Sequence, residues 1–289
     1  MIEKVFLDIT NACNANCLYC FTNSNSINNQ EMTENEIVDL INSLYRNGIK
    51  RISIGGGEPF LRNFVDIVNR IEKQMSISVT TNGTILNDEI INCLKKRKIK
   101  ITVSLDTLNP QHLSEVREGI DLNIVLNNIK KLVQNVEIRP NLSIRSTVSV
   151  INLMDIKQMV DFCENNGIPK LKINSINAFG RAKGCMHLIP NFNEFLQVLR
   201  DIRDYSQNMG VKVELPIEKY LGKKSDICTL GKSSIYIDSI GDVYPCAFSE
   251  RKLVLGNIIK DTKENIKEKI YSFNHNNFIC DNCMIHRYE

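Results

Sequence analysis

Three cysteines stand within eight residues near the start of the chain, at Cys13, Cys17 and Cys20. They come directly after an apolar, strand-like run at 5–9. Thiolates at this spacing can converge on a soft metal centre, and a set of three leaves one iron of a 4Fe-4S cluster without a protein ligand. A small molecule could bind at that open iron. The alternatives are a chance cluster or part of a zinc site, but structural zinc normally has four protein ligands and no fourth thiol is nearby.

The spacing of three and then two residues resembles the signature of radical S-adenosylmethionine (SAM) enzymes. Tyr19 stands where that family usually has an aromatic residue. A second match is Gly56-Gly57-Glu58-Pro59, which follows a strand-like stretch and in the family holds the methionine amino group of SAM. The resemblance implies that the three cysteines bind a 4Fe-4S cluster and that SAM is a cofactor.

The elements that would position these motifs follow an alternating pattern up to about residue 180. Short β-branched runs alternate with helical patterns, which is typical of βα units and a parallel sheet. We expect strands near 4–10, 50–55, 76–81, 100–106, 142–150 and 170–176, and helices at 33–47, 61–74, 88–98, 122–133, 153–166 and 193–208. The pattern predicts an α/β fold, a partial (β/α)6 TIM-like barrel over 1–210, which the resemblance also implies. A small C-terminal domain, a β-hairpin plus helix, would follow over 211–289.

One of the two alternating side-chain rows is polar in strand after strand. Its members are Asp8, Thr10, Ser53, Ser78, Thr80, Thr102, Ser104, Asp106, Arg145, Thr147, Ser149, Lys172 and Asn174. Buried parallel strands are normally apolar on both faces, and a dry core lined with hydroxyls and charges would be costly. We infer a wide polar cavity for a cofactor and a substrate. The alternative is an antiparallel sheet with one wet face, against which the intervening helices argue.

The resemblance also implies SAM contacts inside this cavity. Thr81 and Asn82 belong to a turn that, in the family, closes over the adenosyl side of SAM. The stretch at 103–108 resembles the family segment that approaches SAM, which makes Ser104 a ribose or carboxylate contact and Asp106 a weaker one.

Two cations, Arg145 and Lys172, lie in the polar rows. They could bind the SAM carboxylate or an anionic group of the substrate. The alternative is a structural ion pair with one of three acids, Asp8, Asp106 or Glu58.

A glycine-punctuated loop at 177–185 follows the last predicted barrel strand and ends in Cys185. Loops at the carboxyl ends of barrel strands are the usual site of chemistry. Cys185 could therefore deliver a hydrogen atom to a substrate radical, although a loop cysteine often has no role.

A second set of cysteines lies near the C-terminus, at Cys228, Cys246, Cys280 and Cys283. Between the first two, a predicted hairpin turns at 239–242. Cys228, twelve residues, Gly241, four residues and Cys246 resemble the opening of the SPASM/twitch extension of radical SAM enzymes. The resemblance implies a second, auxiliary 4Fe-4S cluster on these four thiols, for electron transfer or structural support. A zinc ribbon is the alternative.

Composition narrows the class of protein further. A net charge of +3, no Trp and no basic run interleaved with aromatics give no reason to expect a nucleic-acid partner. The N-terminus lacks the apolar core of a signal peptide, and no stretch approaches eighteen apolar residues, so we expect no membrane association. Ten cysteines in such a chain indicate metal rather than disulfides. We expect a cytoplasmic, oxygen-sensitive protein.

The resemblance implies reductive cleavage of SAM to a 5′-deoxyadenosyl radical that abstracts a substrate hydrogen, with flavodoxin or ferredoxin as the reductant. We expect an oxidoreductase that acts as a peptide maturase and cross-links, oxidises or epimerises a ribosomally made peptide, although no N-terminal peptide-recognition domain precedes the barrel. One alternative is a small-molecule dehydrogenase acting on a sugar or amino-cyclitol alcohol. Another is a non-catalytic iron–sulfur scaffold or sensor. The molybdopterin-precursor cyclase type is set aside, because 287–289 lack its double glycine.

Overall fold

The structure is a computed structural model that describes residues 2–26, 30–216, 231, 233–248, 253–261 and 268–269. Its strands are β1 (Lys4–Thr10), β2 (Asn16–Cys17), β3 (Arg51–Gly56), β4 (Ser76–Thr81), β5 (Lys100–Ser104), β6 (Arg117–Glu118), β7 (Leu142–Val148), β8 (Lys170–Ser175), β9 (Lys212–Glu214), β10 (Ser234–Ile237), β11 (Asp242–Tyr244) and β12 (Gly256–Asn257). Its α-helices are α1 (Glu34–Arg46), α2 (Phe64–Arg70), α3 (Asp88–Lys96), α4 (Pro110–Val116), α5 (Leu122–Gln134), α6 (Ile156–Asn165) and α7 (Phe192–Ser206).

Ten of these strands form one sheet in the order β12-β11-β10-β1-β3-β4-β5-β7-β8-β9. The six central strands, from β1 to β8, pair in parallel and are separated by helices. This confirms the predicted α/β partial barrel. Two predicted strands were too long at their carboxyl ends, since β5 ends at Ser104 and β7 at Val148.

The two side-chain rows of the central strands differ in accessibility as predicted. Apolar side chains such as Leu7, Ile54, Val103 and Ile144 are at most 1% exposed and join one continuous core with the helices. Most of the alternate polar row is half-buried, including Ser53, Ser78, Thr80, Ser104, Arg145, Thr147, Lys172 and Asn174. Solvent therefore reaches the polar face, and the barrel interior is open to small molecules.

Local signals explain where helices begin. The Thr33 side chain accepts a hydrogen bond from the Glu36 amide, and the Glu36 carboxylate accepts one from the Thr33 amide at 2.7 Å, which is the capping box the sequence predicts. The seven-residue α4 was missed, although Pro110 occupies its first turn and the Asn109 side chain caps it. The helix predicted at 61–74 is shorter than expected, because α2 ends at Arg70.

Segments beyond residue 210 extend both edges of the barrel sheet. β9 pairs in parallel with β8, and β10 pairs in parallel with β1. The predicted hairpin is present, since β10 and β11 pair antiparallel around a turn in which Gly241 has a φ of 87°. The boundary between 210 and 211 stays a prediction, and Cys228, Cys280 and Cys283 lie outside the described residues. None of the helices in the described ranges is long and apolar enough to cross a bilayer.

Candidate active site

The three-cysteine segment, residues 11–26, is called the cysteine loop here and follows the carboxyl end of β1. Cys13, Cys17 and Cys20 are free, half-buried thiols. Burial raises the pKa of Cys13 to about 11 and also raises the pKa of Cys17. Burial acts to raise the pKa of Cys20, but hydrogen bonds with Ser24 and Thr22 outweigh this effect and lower it. A bound metal deprotonates a coordinating thiol, so iron would stabilise all three thiolates.

The Gly56-Gly57-Glu58 segment at the end of β3 is hydrogen-bonded to this loop. The Gly57 amide donates to the Thr10 carbonyl at 2.8 Å, and the Glu58 amide donates to the Ala12 carbonyl at 2.9 Å. A Cβ added at Gly56 would collide with the Thr10 carbonyl, and one added at Gly57 with the Ala12 carbonyl. Only glycine permits this close approach.

Glu58 is fully buried and joins the ends of β3 and β4. Its carboxylate accepts hydrogen bonds from the Thr81 hydroxyl at 2.8 Å, the Asn82 amide at 2.7 Å and the Phe60 amide at 3.2 Å. Burial raises the pKa of Glu58 to about 7 despite these donors. The structure therefore brings together the predicted SAM contacts Glu58, Thr81 and Asn82, with the buried Pro59 opening a short 3-10 turn beside them. Their contact with SAM stays a prediction.

The Asn82 turn is also tied directly to the cysteine loop. The Asn82 side-chain amide donates to Asn14 Oδ1 at 2.8 Å, and the Asn14 side-chain amide donates to the Thr84 hydroxyl at 2.8 Å. The side chains that follow β3 and β4 thus support the loop that carries the cysteines.

Asp106, which follows β5, lies at the centre of a buried network. Its carboxylate accepts hydrogen bonds from the Tyr19 hydroxyl, from Arg117 Nε at 2.5 Å and from the Thr147 amide at 2.7 Å. Asp106 is 0% exposed. The structure gives Tyr19 and Asp106 a positioning role beneath the cysteine loop, whereas their predicted contact with SAM stays a prediction.

Arg117 is a site residue that sequence reasoning missed. The short strands β2 and β6 pair with Cys17 opposite Arg117, and Arg117 Nη1 lies 4.0 Å from Cys17 Sγ. Burial lowers the pKa of Arg117, but Asp106 and Tyr19 raise it well above its usual value. A permanent positive charge therefore stands beside one of the thiols. Two-residue strands leave no periodic pattern, so no sequence signal marks Arg117.

The loop after β8 closes over the cysteine loop from the opposite side. Arg181 Nε donates to the Cys17 carbonyl at 2.9 Å, and Arg181 Nη1 donates to the Ser24 carbonyl at 2.6 Å. A Cβ added at Gly180 would collide with the Cys20 carbonyl. Arg181 was also missed, because these are hydrogen bonds to backbone carbonyls, which a side-chain pattern does not reveal.

Cys185 is half-buried beneath the same region. It packs against a small apolar cluster whose buried members are Tyr19, Val116, Ile176, Ala182 and Leu188. The cluster also contacts Cys17. This places Cys185 on the side of the barrel that carries the cysteine loop, and its role as a hydrogen donor stays a prediction.

Ser104 and Arg145 are opposite each other in neighbouring strands, and Arg145 is in turn opposite Lys172. The predicted alternative, an ion pair from Arg145 or Lys172 to Asp8, Asp106 or Glu58, is not formed among the described residues. Asp8 accepts a hydrogen bond from Tyr236, and the other two acids have the partners given above. The contact of these two cations with SAM or with an anionic group of the substrate stays a prediction.

Cys246 is the described member of the C-terminal cysteine set, and it lies beside the cysteine loop. It is 6% exposed, and its Sγ accepts a hydrogen bond from the Phe248 amide at 3.2 Å. The Phe248 ring packs on Phe21, next to Cys20, with ring centroids 5.2 Å apart. An open cavity of about 180 Å³ lies against Phe21 and the loop after β8.

The donor set of the cysteine loop fits an iron–sulfur cluster. The thiols of Cys13, Cys17 and Cys20 are soft donors presented by one loop, as the ligands of separate irons in a cluster are.

Comparisons with known proteins agree with this chemistry. The family model described as the radical SAM superfamily matches residues 7–163, and that of the SPASM iron–sulfur cluster-binding domain matches residues 228–284. A probable GTP 3′,8-cyclase of Methanocaldococcus jannaschii is 31% identical over 230 residues, which cover 78% of this chain and 68% of the cyclase. The subtilosin biosynthesis protein AlbA of Bacillus subtilis is 28% identical over 272 residues, 90% of this chain and 58% of AlbA. The chain thus spans less than two thirds of AlbA.

Solved structures share the fold. Streptococcus suis SuiB bound to SAM superposes with a TM-score of 0.80 at 17% identity, covering 99% of this chain and 71% of SuiB. SuiB bound to its precursor peptide SuiA gives a TM-score of 0.78 at 18% identity, covering 99% of this chain and 70% of SuiB.

The two family models assign the cofactors, which are SAM and 4Fe-4S clusters. The chain belongs to the radical SAM superfamily and carries a SPASM-type iron–sulfur domain.

Proposed function

We propose that this radical SAM enzyme is a peptide maturase, an oxidoreductase that abstracts a hydrogen atom from a residue of a ribosomally made precursor peptide. The observation that carries the proposal is the contact between the two cysteine-bearing regions, in which Phe248, two residues after Cys246, packs on Phe21 beside Cys20. A peptide radical formed in the barrel would then have an electron acceptor nearby. The match to AlbA over 90% of this chain and the fold shared with the SuiB–SuiA complex support a peptide substrate.

In this proposal the chain's own residues bind and orient. Cys13, Cys17 and Cys20 hold the first cluster, and Gly56 to Pro59 hold the amino group of SAM. When bound, SAM and the cluster supply the one-electron chemistry that produces a 5′-deoxyadenosyl radical. Ser104, Thr81 and Asn82 orient SAM from the strand ends. Flavodoxin or ferredoxin supplies the electron.

The auxiliary cluster would be held by Cys228, Cys246, Cys280 and Cys283. Four thiols complete the coordination of a 4Fe-4S cluster, so its role is to take up or relay an electron rather than to bind the substrate. The aromatic contact of Phe248 with Phe21, and with Phe179 at 5.4 Å between centroids, keeps this side of the cysteine loop covered.

A second candidate function is the cyclisation of a nucleotide. The observation that favours it is the Methanocaldococcus jannaschii relative, a probable GTP 3′,8-cyclase, which is 31% identical over 78% of this chain. The cations of the barrel interior would suit a phosphate as well as a carboxylate.

Mass spectrometry of an anaerobic incubation would separate these functions. The reconstituted protein, SAM and dithionite are mixed in heavy water with a peptide extract of the source cells or with GTP. A SAM-dependent gain of one deuterium on a peptide means epimerisation, and loss of two hydrogens means a cross-link or oxidation. Conversion of GTP, or dehydrogenation of a sugar-like molecule, would instead refute the peptide proposal. If no 5′-deoxyadenosine forms, the scaffold alternative holds.

The proposed hydrogen donor can be tested in the same assay with Cys185→Ala. If the reaction is an epimerisation that uses Cys185, the variant still forms 5′-deoxyadenosine but places no deuterium on the peptide. The control is Gly184→Ala, at a neighbouring position where a Cβ meets nothing within 4 Å. Deuterium incorporation by Cys185→Ala at the wild-type level would remove Cys185 from the mechanism.

A further inference from the structure

The proposed SAM chemistry gives no role to the charge of Arg117, although this side chain reaches a predicted cluster ligand. Arg117 lies on β6, and the pairing of β6 with β2 sets it opposite Cys17 of the cysteine loop. Its Nη1 atom lies 4.0 Å from Cys17 Sγ, with the N–H directed at the sulfur. The guanidinium therefore presents a charged donor to a thiol that is predicted to bind iron.

Asp106 fixes the guanidinium in this orientation. Its carboxylate accepts hydrogen bonds from Arg117 Nε at 2.5 Å and from Arg117 Nη2 at 3.4 Å. These contacts occupy one edge of the planar guanidinium and leave Nη1 directed at Cys17. The hydroxyl of Tyr19 also donates to the carboxylate, and the Tyr19 ring lies 5.7 Å from the guanidinium carbon. The side chains of Arg117 and Asp106 are 8% and 0% exposed, so water screens their charges little.

The other described side-chain contacts of the loop sulfurs are made by neutral groups. Cys20 Sγ lies 3.2 Å from the Thr22 hydroxyl and 3.3 Å from the Ser24 hydroxyl. Arg181 also approaches the cysteine loop, but it donates to backbone carbonyls there. Among the residues that the structure describes, the charged hydrogen-bond donor to a loop sulfur is therefore Arg117.

A positive charge beside a cluster ligand favours the reduced state of the cluster. Reduction adds an electron to a centre that its thiolates already make negative, and hydrogen bonds to the sulfurs and the charge around them set the potential. The Asp106 carboxylate acts in the opposite direction, but it binds the edge of the guanidinium away from Nη1. The positive end of this buried pair thus faces Cys17.

We propose that Arg117 is a positioning residue that raises the reduction potential of the first cluster through its contact with Cys17. The inference rests on the proposed function, in which Cys13, Cys17 and Cys20 hold that cluster. The step that it affects is the transfer of one electron from reduced flavodoxin or ferredoxin to the oxidised cluster, in which no covalent bond forms or breaks and no proton moves. Arginine suits this position because it keeps its charge when buried.

A redox titration of the anaerobically reconstituted protein, followed by electron paramagnetic resonance, measures the potential. Added SAM identifies the signal of the first cluster, because only that cluster has an open iron. The double variant Arg117→Gln/Asp106→Asn removes both charges, so it leaves no buried charge without a partner. We expect reduction of the first cluster to become about tenfold less favourable in this variant, which lowers a one-electron potential by about 59 mV.

The single variant Asp106→Asn tests the sign of the effect. It leaves the guanidinium beside Cys17 without its counter-charge, so we expect the potential of the first cluster to rise by a similar amount. Arg51→Gln is the control, because Arg51 lies on the surface with a side chain that is 57% exposed. Its potential equals that of the wild type. A role of Arg117 in holding the loop alone would not move the potentials of the two variants in opposite directions.

The outcomes separate this inference from the proposed function. The inference is refuted if the double variant has the potential of the wild type, if both variants shift in the same direction, or if Arg51→Gln shifts as the double variant does. If Asp106→Asn does not retain iron, the double variant decides. Absence of a SAM-responsive signal in the wild type would overturn the proposed function and this inference with it, whereas a SAM-responsive signal with unshifted potentials overturns the inference alone.

Discussion

Buried charged side chains have different partners at the two ends of the barrel interior. At the carboxyl ends of the strands, the Asp106 carboxylate is paired with Arg117, and the Glu58 carboxylate accepts three hydrogen bonds. Deeper in the barrel, Arg145 and Lys172 form no close ion pair within the described residues, and the charge of Glu214 acts on both. This difference separates the charges that hold the protein's own loops from the charges that remain available to a ligand.

The paired charges all act on the cysteine loop. Arg117 lies against Cys17 from one side, and Arg181 donates to two loop carbonyls from another. The Glu58 segment holds the loop through backbone hydrogen bonds. A loop fixed on several sides presents its thiols in one arrangement before any cofactor binds, which is what a preorganised metal site needs.

The largest expected effect comes from breaking the buried pair with Asp106→Asn. Arg117 and Asp106 side chains are only 8% and 0% exposed, so the variant leaves a buried guanidinium without its counter-charge. We expect the free energy of unfolding to fall by about 3–5 kcal/mol. Urea denaturation followed by circular dichroism measures it.

The matched control for that variant is Glu3→Gln. Glu3 pairs with Arg51 on the surface, where both side chains are more than half exposed, at 61% and 57%. This change should cost less than about 1 kcal/mol. Equal losses in the two variants would show that the buried network does not hold the structure.

A smaller effect is expected from Gly57→Ala. The added methyl group collides with the Ala12 carbonyl, so the loop and the Glu58 segment must separate. We expect a loss of about 1–3 kcal/mol in stability and a lower iron content after reconstitution. Gly184→Ala is the control, since a Cβ there meets nothing within 4 Å. Full iron loading in Gly57→Ala would mean that this close approach is not needed.

The smallest effect concerns Lys172, whose lowered pKa makes the free energy of unfolding rise rather than fall with pH. Burial, followed by the charge of Arg145, lowers the pKa of Lys172 from its ordinary value of 10.5 to about 8 in the folded chain. Between these two values the unfolded chain binds a proton that the folded chain does not, so the free energy of unfolding rises with pH. After allowance for solvent screening, we expect a rise of roughly 1 kcal/mol in the wild type that Lys172→Gln lacks.

The free energy of unfolding is measured by denaturation at pH 8 and pH 10 for the wild type, Lys172→Gln and Lys130→Gln. The contributions of the other titrating groups are shared by all three proteins and cancel in the comparison. The control Lys130→Gln, whose lysine is exposed on α5, retains the rise. An unchanged pH dependence in Lys172→Gln would mean that Lys172 is solvated like a surface lysine, which would weaken the comparison between the two ends of the barrel.

The sequence predicted the parts of the site that depend on short motifs and on alternation along strands. The cysteine spacing, the Gly56 to Pro59 segment and the polar row with Arg145 all follow from residue types at fixed intervals. Local hydrogen-bond chemistry likewise predicted the Thr33 cap. These features are encoded within one element, so one sequence suffices to find them.

The supporting residues could not be predicted, because they act between elements distant in the chain. Arg117 contacts Cys17 across 100 residues, and Arg181 reaches the Cys17 carbonyl across 164. Glu31 accepts a hydrogen bond from the Thr10 hydroxyl, and no motif in the adjacent sequence marks Glu31 as a supporting residue. The resemblance of 103–108 to a family segment implied a SAM contact at Asp106, and only the fold reveals that Arg117 and Tyr19 donate hydrogen bonds to its carboxylate.

The most direct test of the account is the reductive cleavage of SAM by the anaerobically reconstituted chain. The wild type and a variant with Cys13, Cys17 and Cys20 all changed to Ala are compared for 5′-deoxyadenosine formation and iron content. We predict that the wild type forms 5′-deoxyadenosine with about eight irons per chain, and that the variant forms none but retains about four. Formation of 5′-deoxyadenosine by the triple variant, or none by the fully loaded wild type, would contradict the assignment of the cysteine loop as the site of SAM cleavage.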